Sequence, residues 1–373
     1  MTHPISNITV RQTTAAEKTS GPFSTHYWTS SMLEAVNTCP KWGLIRNVQN
    51  KSFVTGYRQM ALEAGALMHE IFAMLNLVQV GYIQGLPTHC QYHGEKEFGR
   101  ERWAAITASV NLDDFDGTNQ SQLIRVLEQL AYNVISTSDY YDDPEDKNRT
   151  VSNLEHCAIE LVTYWTVHLS DFAIYVADPA DPSAPIGVEQ SLDCIFSFYY
   201  DNQLSEIRVI GLADAVYQNS KTKLTTMGEY KSSSNMNDAW QQQYATRHQV
   251  TIYSAMLDAY FDNFSGNTVL IGSSIPVRKT SPANMHFQLS RDEDQVKDML
   301  LSLLHADALR GVYQGEAAIY APMFTHSCNR YFRPCAFLDL CTSSHPDQEA
   351  MWAEMSSAPE LSPSEMKALA RKD

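Results

Sequence analysis

Asp214, Glu229 and Lys231 are the residues whose types and spacing most directly indicate chemistry. Asp214 lies in one predicted strand, and Glu229 and Lys231 lie in the next. Because side chains alternate across a strand, Glu229 and Lys231 face the same side, and a hairpin would bring Asp214 beside them. Gathering such charges on a sheet is costly unless something binds there. Two carboxylates suit Mg²⁺ or Mn²⁺, so we expect a divalent cation at this point.

A cation held by Asp214 and Glu229 would make water more acidic and neutralise charge on a phosphate during its transfer. Lys231 would orient the water, help to deprotonate it or stabilise developing charge. Beside two carboxylates the lysine should stay protonated, which disfavours the role of general base. Taken alone, this spacing fits an ordinary surface strand with a Glu–Lys pair better than a catalytic site.

Two further motifs change that balance. His69 lies on a predicted helix one turn after Gly65, where a histidine is ordinarily a core or rim residue but beside carboxylates becomes a third ligand. Gln249 and Tyr253 lie one turn apart on the helix after Lys231, on one face. They are expected to position a substrate strand or the lysine, or simply to form a helix surface.

The order His69, Gly211-x2-Asp214, Glu229-x-Lys231 and Gln249-x3-Tyr253 resembles the RecB-type nuclease domains of the PD-(D/E)XK superfamily. The resemblance spans roughly residues 30–342. It implies a restriction-endonuclease-like α/β core and metal-dependent hydrolysis of DNA. It also implies His69, Asp214 and Glu229 as metal ligands and Lys231 as the catalytic lysine. Ala213 replaces the proline of the superfamily's name, a departure that is frequent in this type of nuclease.

The seven cysteines include a cluster near the end of the chain, Cys328-x6-Cys335-x5-Cys341. Thiolates this close together in a reducing compartment indicate a metal site, which needs a fourth ligand. The candidates for that ligand are Cys39, Cys90, Cys157 and Cys194. Cys157 and Cys194 lie in apolar patterns typical of buried, inert thiols. Cys39, followed by Pro40 at a helix break, suits a ligand best.

One distant and three clustered cysteines resemble the iron–sulfur members of the same family, including CRISPR-associated RecB-type exonucleases and the AddB nuclease domain. This implies a [4Fe–4S] cluster on Cys39, Cys328, Cys335 and Cys341. Zinc is the competing metal, although its knuckles usually have shorter gaps between ligands. A cluster joining positions about 290 residues apart would close a very long loop, and its ligation energy would add to the stability of the fold.

The hydrophobic periodicity predicts an α/β fold in which a central mixed sheet is flanked by helices, with a helical insertion and a cluster joining the N- and C-terminal parts. The predicted regions are a flexible arm at 1–26, a nuclease domain at 27–342 and a polar tail at 343–373. Within the domain we expect the helical insertion at about 105–175, the catalytic core at about 187–310 and the cysteine cluster at 328–341. Predicted strands cover 187–199, 206–218, 223–232 and 268–277, and predicted helices cover 59–79, 237–261 and 292–309.

The net charge of −16 does not by itself suggest a nucleic-acid partner. A local basic groove would have to be built from residues such as Lys41, Arg46, Lys51, Arg58, Lys221, Lys223, Lys231 and Arg247. Trp28, Trp42 and Trp240 would stack on splayed bases or lie in the core. No apolar run reaches the ~18 residues that span a bilayer. We therefore expect a cytoplasmic protein, in a bacterial, archaeal or phage-infected cell, with DNA as partner and no membrane.

The motifs do not distinguish an exonuclease from an endonuclease, because both use the same metal site. The resemblance favours end-dependent action on single-stranded DNA or DNA ends. Two alternatives stay open: a non-cutting DNA-binding or regulatory protein, and a subunit of a recombination, repair or CRISPR-adaptation-like complex. The presence of His69, Asp214, Glu229 and Lys231 together favours an active enzyme over a decayed one.

Overall fold

A seven-stranded mixed sheet lies between two helical layers in the computed structural model of the chain. The structure describes residues 3–52, 60–110, 119–142, 148–169, 172–219, 221–275, 282–323, 335 and 337–357. Each face of the sheet has its own hydrophobic core, so successive side chains along a strand point alternately into one core and the other. On one central strand Leu270 enters the first core, while Val269 and Ile271 enter the second. The expected mixed sheet flanked by helices is thus confirmed.

The sheet has the strand order β1-β4-β5-β6-β7-β8, with the short β3 beside β5. Only β6 and β7 are parallel; the other pairs are antiparallel. A two-stranded sheet, β2-β9, lies apart from it. The strands are β1 (Ile5–Gln12), β2 (Lys51–Ser52), β3 (Ala173–Ile174), β4 (Val188–Tyr200), β5 (Gln203–Gln218), β6 (Thr225–Ser233), β7 (Phe264–Ser274), β8 (Asn284–Ser290) and β9 (Ser356–Ser357).

The helices cover both faces of the sheet. The first core is lined by α2 (Ser30–Thr38), α9 (Asp238–Thr246), α10 (His248–Tyr260), α11 (Glu293–Val312), α12 (Leu338–Thr342) and α13 (His345–Glu354). The second is lined by α4 (Met60–Val78), α5 (Pro87–Phe98), α6 (Arg100–Thr107), α7 (Gln120–Ser136) and α8 (Val151–His168). Helices α7 and α8 lie within the range 105–175 where a helical insertion was expected. The described residues also include the short helices α1 (Ala15–Thr19) and α3 (Pro40–Gly43), two π-helical turns (Leu44–Val48 and Gln79–Ile83) and a 3₁₀ helix (Gly315–Tyr320).

The N-terminal residues are not the flexible arm that the sequence suggested. Ile5–Gln12 pairs antiparallel with β4, with an irregularity between Ser6 and Thr9. Ile5 is buried, and the backbone N–H of Thr13 donates to the carbonyl of Asp193 at 2.9 Å. Because this irregularity interrupts the alternation of apolar residues, the Thr- and Ser-rich segment lacks the sequence pattern that predicts a strand.

Two further expectations change in detail, and one strand was not expected. The predicted helix 237–261 is two helices, because Arg247 has an extended backbone (ψ 131°) between α9 and α10. The strand β8 was not predicted, since its residues are at most half buried and carry no strong apolar alternation. The tail from residue 343 begins with α13, and Trp352 and Met355 are buried in the first core. Residues 358–373 lie outside the described ranges.

The N- and C-terminal parts of the chain contact each other directly. Strand β2 pairs with β9, and the backbone N–H of Lys41 donates to the carbonyl of Pro322 at 3.0 Å. The Lys41 ammonium donates to the Gln348 side chain at 3.4 Å, and both residues are buried. Lys41 is therefore not part of a surface groove, as the sequence had allowed, but part of the contact between the two ends.

Helix α4 is the main apolar helix of the second core. The segment Met60–Ile83 is long and apolar enough to cross a membrane by length and composition, but 67% of its most apolar window is buried inside the protein. A core helix passes the same test of length and composition. Its burial against α7, α8 and the sheet fits that role.

A buried ion pair fixes the N-terminal segment to the sheet. The Arg208 guanidinium, 1% exposed, donates to both carboxylate oxygens of Asp193 at 2.8 and 2.6 Å. It also donates to the Phe23 carbonyl at 2.7 Å. Lys18 lies 3.6 Å from the same carboxylate. Removing the carboxylate would leave Arg208 as an uncompensated buried charge.

We predict that Asp193→Ala lowers the free energy of unfolding by about 3–5 kcal/mol, measured by urea denaturation. The matched control is Glu293→Gln, which removes an exposed partner of Lys297 and should cost clearly less, since surface ion pairs contribute little. Equal losses in the two variants would contradict a special role for the Asp193–Arg208 pair.

Candidate functional site

The site begins where strands β5 and β6 separate. Their ladder runs from Gln218↔Thr225 to Ala215↔Gly228 and then ends. Two residues beyond Gly228, the backbone N–H of Tyr230 donates to a carboxylate oxygen of Asp214 at 2.6 Å. A side chain has thus replaced the main-chain acceptor. The strands therefore fork at the point where the two acidic residues lie.

Helix α4 brings His69 to this fork. Its Nδ1 lies 3.6 Å from Oδ1 of Asp214, and its ring meets the ring of Tyr230 edge-on at 4.8 Å. Gly65, one turn earlier, allows the close approach: a Cβ at this position would lie 2.9 Å from the hydroxyl of Ser232 on β6. Gly65 therefore lets α4 pack closely against β6, and this packing brings His69 to Asp214.

Glu229 is fully buried and holds a lysine and an amide. Its Oε1 accepts hydrogen bonds from the Lys231 ammonium and from Nε2 of Gln249, the latter at 2.7 Å. This contact confirms that Glu229 and Lys231 share a face. The other oxygen, Oε2, is buried and has no hydrogen-bond partner among the described residues. An unpaired buried carboxylate oxygen is costly, so this atom is suited to receive a cation.

The two carboxylates differ in their ionisation. Burial opposes ionisation of Asp214, but His69, Lys231 and the Tyr230 N–H together outweigh it and lower its pKa. Burial and the nearby Asp214 charge raise the pKa of Glu229 to about 8, against the opposing effect of Lys231. Burial disfavours the Lys231 cation, but Glu229 and Asp214 more than compensate and raise its pKa. Lys231 therefore remains protonated at neutral pH.

Tyr253 supports the site without reaching the carboxylates. Its ring packs against Gly211, where a Cβ would lie 2.4 Å from the ring, so the motif glycine makes room for it. Its hydroxyl lies 3.4 Å from that of Ser30 on α2. Gln249, one turn earlier on α10, is the member of this motif that contacts the site directly.

Glu34 is a residue that the sequence motifs did not reveal. It lies one turn after Ser30 on α2, and Ser30 faces Tyr253 of α10. Its Oε1 is buried and has no hydrogen-bond partner among the described residues, and its charge contributes to the raised pKa of Glu229. A third carboxylate thus borders the site. The only sequence signal was a charged residue inside an otherwise apolar helical stretch.

The three expected ligands lie in two contact pairs, His69–Asp214 and Glu229–Lys231. Within the described ranges, no three His, Cys, Asp or Glu side chains are already gathered as a metal site. A cation would join the two pairs by drawing on the unpaired Oε2 of Glu229. The donor set is chemically suited to Mg²⁺ or Mn²⁺, with the imidazole favouring Mn²⁺.

The cysteines separate into two environments. Burial raises the pKa of the thiols of Cys90 and Cys194 to about 12 and that of Cys157 to about 11. Thiols held in this state are poor metal ligands, because the thiolate is the ligating form. Cys335 and Cys341 pack against the first core. Cys39 is buried at the junction of α2 and α3. Cys328 lies outside the described residues.

Two of the three candidate tryptophans are not available to stack on bases. Trp28 is fully buried, and its indole N–H donates to Asp307 at 2.8 Å. Trp240 is buried against Tyr244 and Phe287. Both residues therefore belong to the core, while Trp42 is only partly buried against it.

We predict a pH-dependent loss of stability from Glu229 in the metal-free protein. Its folded pKa of about 8 exceeds the ordinary value of 4.5, so its contribution is present below pH 4.5 and is lost as the pH rises through about 8. The free energy of unfolding, measured with urea in a chelator, should fall across this window by up to about 1.4 kcal/mol per pH unit more steeply than in Glu229→Gln.

The control for this experiment is Glu101→Gln, which changes an exposed carboxylate on α6 and should leave the pH profile unchanged. Lys231 does not alter the expected slope, because its raised pKa keeps it protonated throughout the window. Parallel profiles for the wild type and Glu229→Gln would contradict the ionisation assigned to this carboxylate.

Comparison with known proteins adds no relative to these observations: no protein-family model matches the chain, and no curated protein matches it either. The functional interpretation therefore depends on the site itself. Its elements are a fork in a sheet, two buried carboxylates, a histidine, a protonated lysine and an amide that holds one carboxylate in place.

Proposed function

We propose that this chain is a metal-dependent DNA nuclease with a restriction-endonuclease-like core, acting on single-stranded DNA or DNA ends. The observation that carries the proposal is the fully buried Glu229 at the fork of β5 and β6. One of its oxygens is bound to Lys231 and the other has no partner among the described residues. A purely structural ion pair would not require a second carboxylate and a histidine beside it.

His69, Asp214 and Glu229 are the residues that would hold a Mg²⁺ or Mn²⁺ ion. When bound, such an ion makes water more acidic and neutralises charge on a phosphodiester. The residues fit this role because Asp214 is held ionised by its neighbours, and Glu229 has a free buried oxygen. Glu34 adds a third negative charge that would strengthen attraction for a cation.

Lys231 acts as a fixed cation in this proposal rather than as a base. Its raised pKa keeps a proton on Nζ, so it can stabilise negative charge that develops on the phosphate oxygens. Gln249 orients Glu229, and Tyr253 and Ser30 hold α10 against α2. The site is thus preorganised by hydrogen bonds from both sides of the fork.

A phosphodiester is the substrate class that this combination fits best. It carries negative charge that a cation and Lys231 would both neutralise, and its hydrolysis needs a water activated near neutral pH. DNA, and action at its ends, follow from the resemblance of the motif order to RecB-type nucleases. The strong net negative charge of the chain makes the cation important for bringing a polyanion to the site.

We also propose a [4Fe–4S] cluster on Cys39, Cys328, Cys335 and Cys341. Two observations support the choice of Cys39: the other three candidates have pKa values raised by burial, and the turn at Lys41 is hydrogen-bonded to Pro322, close in the chain to the cysteine cluster. The cluster would supply a covalent link between two ends that already share one core.

We predict that Lys231→Ala slows cleavage of end-labelled DNA by about 10²–10³-fold, because it removes a preorganised charge from the site. Single- and double-stranded substrates would be compared with Mg²⁺ or Mn²⁺, and the product ladder would distinguish exonuclease from endonuclease action. Cleavage by the wild type should stop when a chelator removes the divalent cation.

The control is Lys96→Ala, which removes an exposed lysine on α5 and should cleave like the wild type. If the wild type cuts neither substrate with either cation, the proposed activity is wrong. DNA binding without cutting would then favour the regulatory alternative. Equal cleavage by the wild type and Lys231→Ala would also contradict the proposed site.

We predict that Cys335→Ala lowers the iron content of anaerobically purified protein and destabilises the whole domain, since a lost ligand weakens the link between the chain ends. Iron and sulfide analysis with thermal unfolding would measure both effects. Lys231→Ala should retain full iron content.

Cys157→Ala is the matched control, because it removes a buried thiol of α8 and should leave iron content unchanged. Normal folding and iron content in Cys335→Ala would contradict the linking role. Stoichiometric zinc in place of iron would replace the proposed cluster with a zinc site.

A further inference from the structure

A second group of metal-binding side chains lies on the outer edge of the sheet, away from the proposed nuclease site. Tyr164 and His168 are one turn apart on α8 and therefore share a face of that helix. His286 lies opposite them on β8. The Tyr164 hydroxyl lies 2.7 Å from Nδ1 of His286, and the rings of His168 and His286 have centroids 6.0 Å apart.

We propose that His168 and His286 form a binding site for one divalent transition-metal ion of the zinc class, with Tyr164 orienting His286. Neither residue belongs to the proposed nuclease site. His286 pairs with Ile271, which pairs with Tyr230, so two strand spacings, about 10 Å, separate it from that position of β6. The proposed metal site therefore does not depend on the proposed nuclease activity.

The spacing of the two imidazoles suits a shared ion. With a metal–nitrogen distance of roughly 2.0 Å, an ion lies about 3.2 Å from the centre of each ligating ring, so two such rings have centroids about 5–6 Å apart. The observed 6.0 Å is at the upper end of this range and needs only a small rotation of exposed side chains. Imidazole nitrogen is a preferred ligand for Zn²⁺, Cu²⁺ and Ni²⁺.

The contact with Tyr164 prepares His286 for this role. When Nδ1 of His286 donates its proton to the tyrosine oxygen, the lone pair of Nε2 is free to bind a metal. A hydrogen bond from the second ring nitrogen is the usual way in which a ligating histidine is oriented. The Tyr164 ring also lies 4.6 Å from the His168 ring, which limits the freedom of that side chain.

The position of His168 favours a cation as well. It is the last residue of α8, where the helix dipole places partial negative charge and the final carbonyl groups have no partner within the helix. Solvent has access to both histidines, so water would complete the coordination. Bound metal would connect α8 to β8, the edge strand of the sheet, and would thereby stabilise the native state.

The test is a calorimetric titration of the full chain with Zn²⁺ at about pH 7.5, where imidazoles are neutral. His168→Ala and His286→Gln should each bind one Zn²⁺ fewer than the wild type, and the double variant should also lose one and not two. Tyr164→Phe should keep the stoichiometry and weaken this site about tenfold. Any Zn²⁺ that binds to the cysteines or to the proposed nuclease site does so equally in all variants, so it cancels in the comparison.

His156→Ala is the control, because His156 is an exposed histidine on the same helix and should not change the stoichiometry. Selective ¹⁵N-histidine labelling of the wild type gives a second measurement, in which two imidazole signals should shift together on addition of Zn²⁺. Unchanged stoichiometry in both single variants would overturn the proposal. So would a loss of two equivalents in the double variant, or a loss in His156→Ala equal to that in His168→Ala, since independent adventitious histidines give those results.

Discussion

The burial of Glu229 in the middle of the sheet is the constraint on which the rest of the site depends. A carboxylate without water must be paired, and here Lys231 and Gln249 both hold the same oxygen. The second carboxylate, Asp214, lies close enough to raise the pKa of Glu229 further. Two buried carboxylates this close together are stable only if helices on both faces of the sheet place compensating side chains against them.

The two faces meet this requirement in different ways. On one face α4 places His69 against Asp214, and on the other α10 places Gln249 against Glu229. Each helix approaches closely because a glycine leaves room, Gly65 against Ser232 and Gly211 against Tyr253. The motif glycines are thus packing residues whose effect is to bring polar groups to the fork. The unpaired Oε2 of Glu229 is what this compensation leaves over, and the proposed cation would bind there.

The first core depends on both ends of the chain. Residues from α2 and β1 pack there with Phe337, Leu340, Trp352 and Met355, and the buried contact of Lys41 with Gln348 joins the two parts. Because α2 also carries Ser30 and Glu34, the closure of the chain ends supports the helix that borders the site. A metal cluster between Cys39 and the C-terminal cysteines would reinforce a contact on which the position of α2 already depends.

Local periodicity and motif spacing were enough to predict the central part of this protein. The strands β4, β5 and β6, the helix α4 and the shared face of Glu229 and Lys231 all follow from patterns within one or two elements. Several features depend on partners distant in the chain, and only the tertiary structure decided them. Ile5–Gln12 becomes a strand because β4 offers it an edge, and α13 is ordered because its apolar residues reach the first core.

The same distinction holds within the site. The types and order of His69, Asp214, Glu229, Lys231 and Gln249 could be read from the sequence alone, because residue type and spacing are properties of the chain itself. The fork between β5 and β6, the division of the charged residues into two pairs and the presence of Glu34 were not. These features arise where two strands stop pairing and two helices cross them. Spacing along the chain carries no information about such contacts, because they depend on distances between elements far apart in sequence.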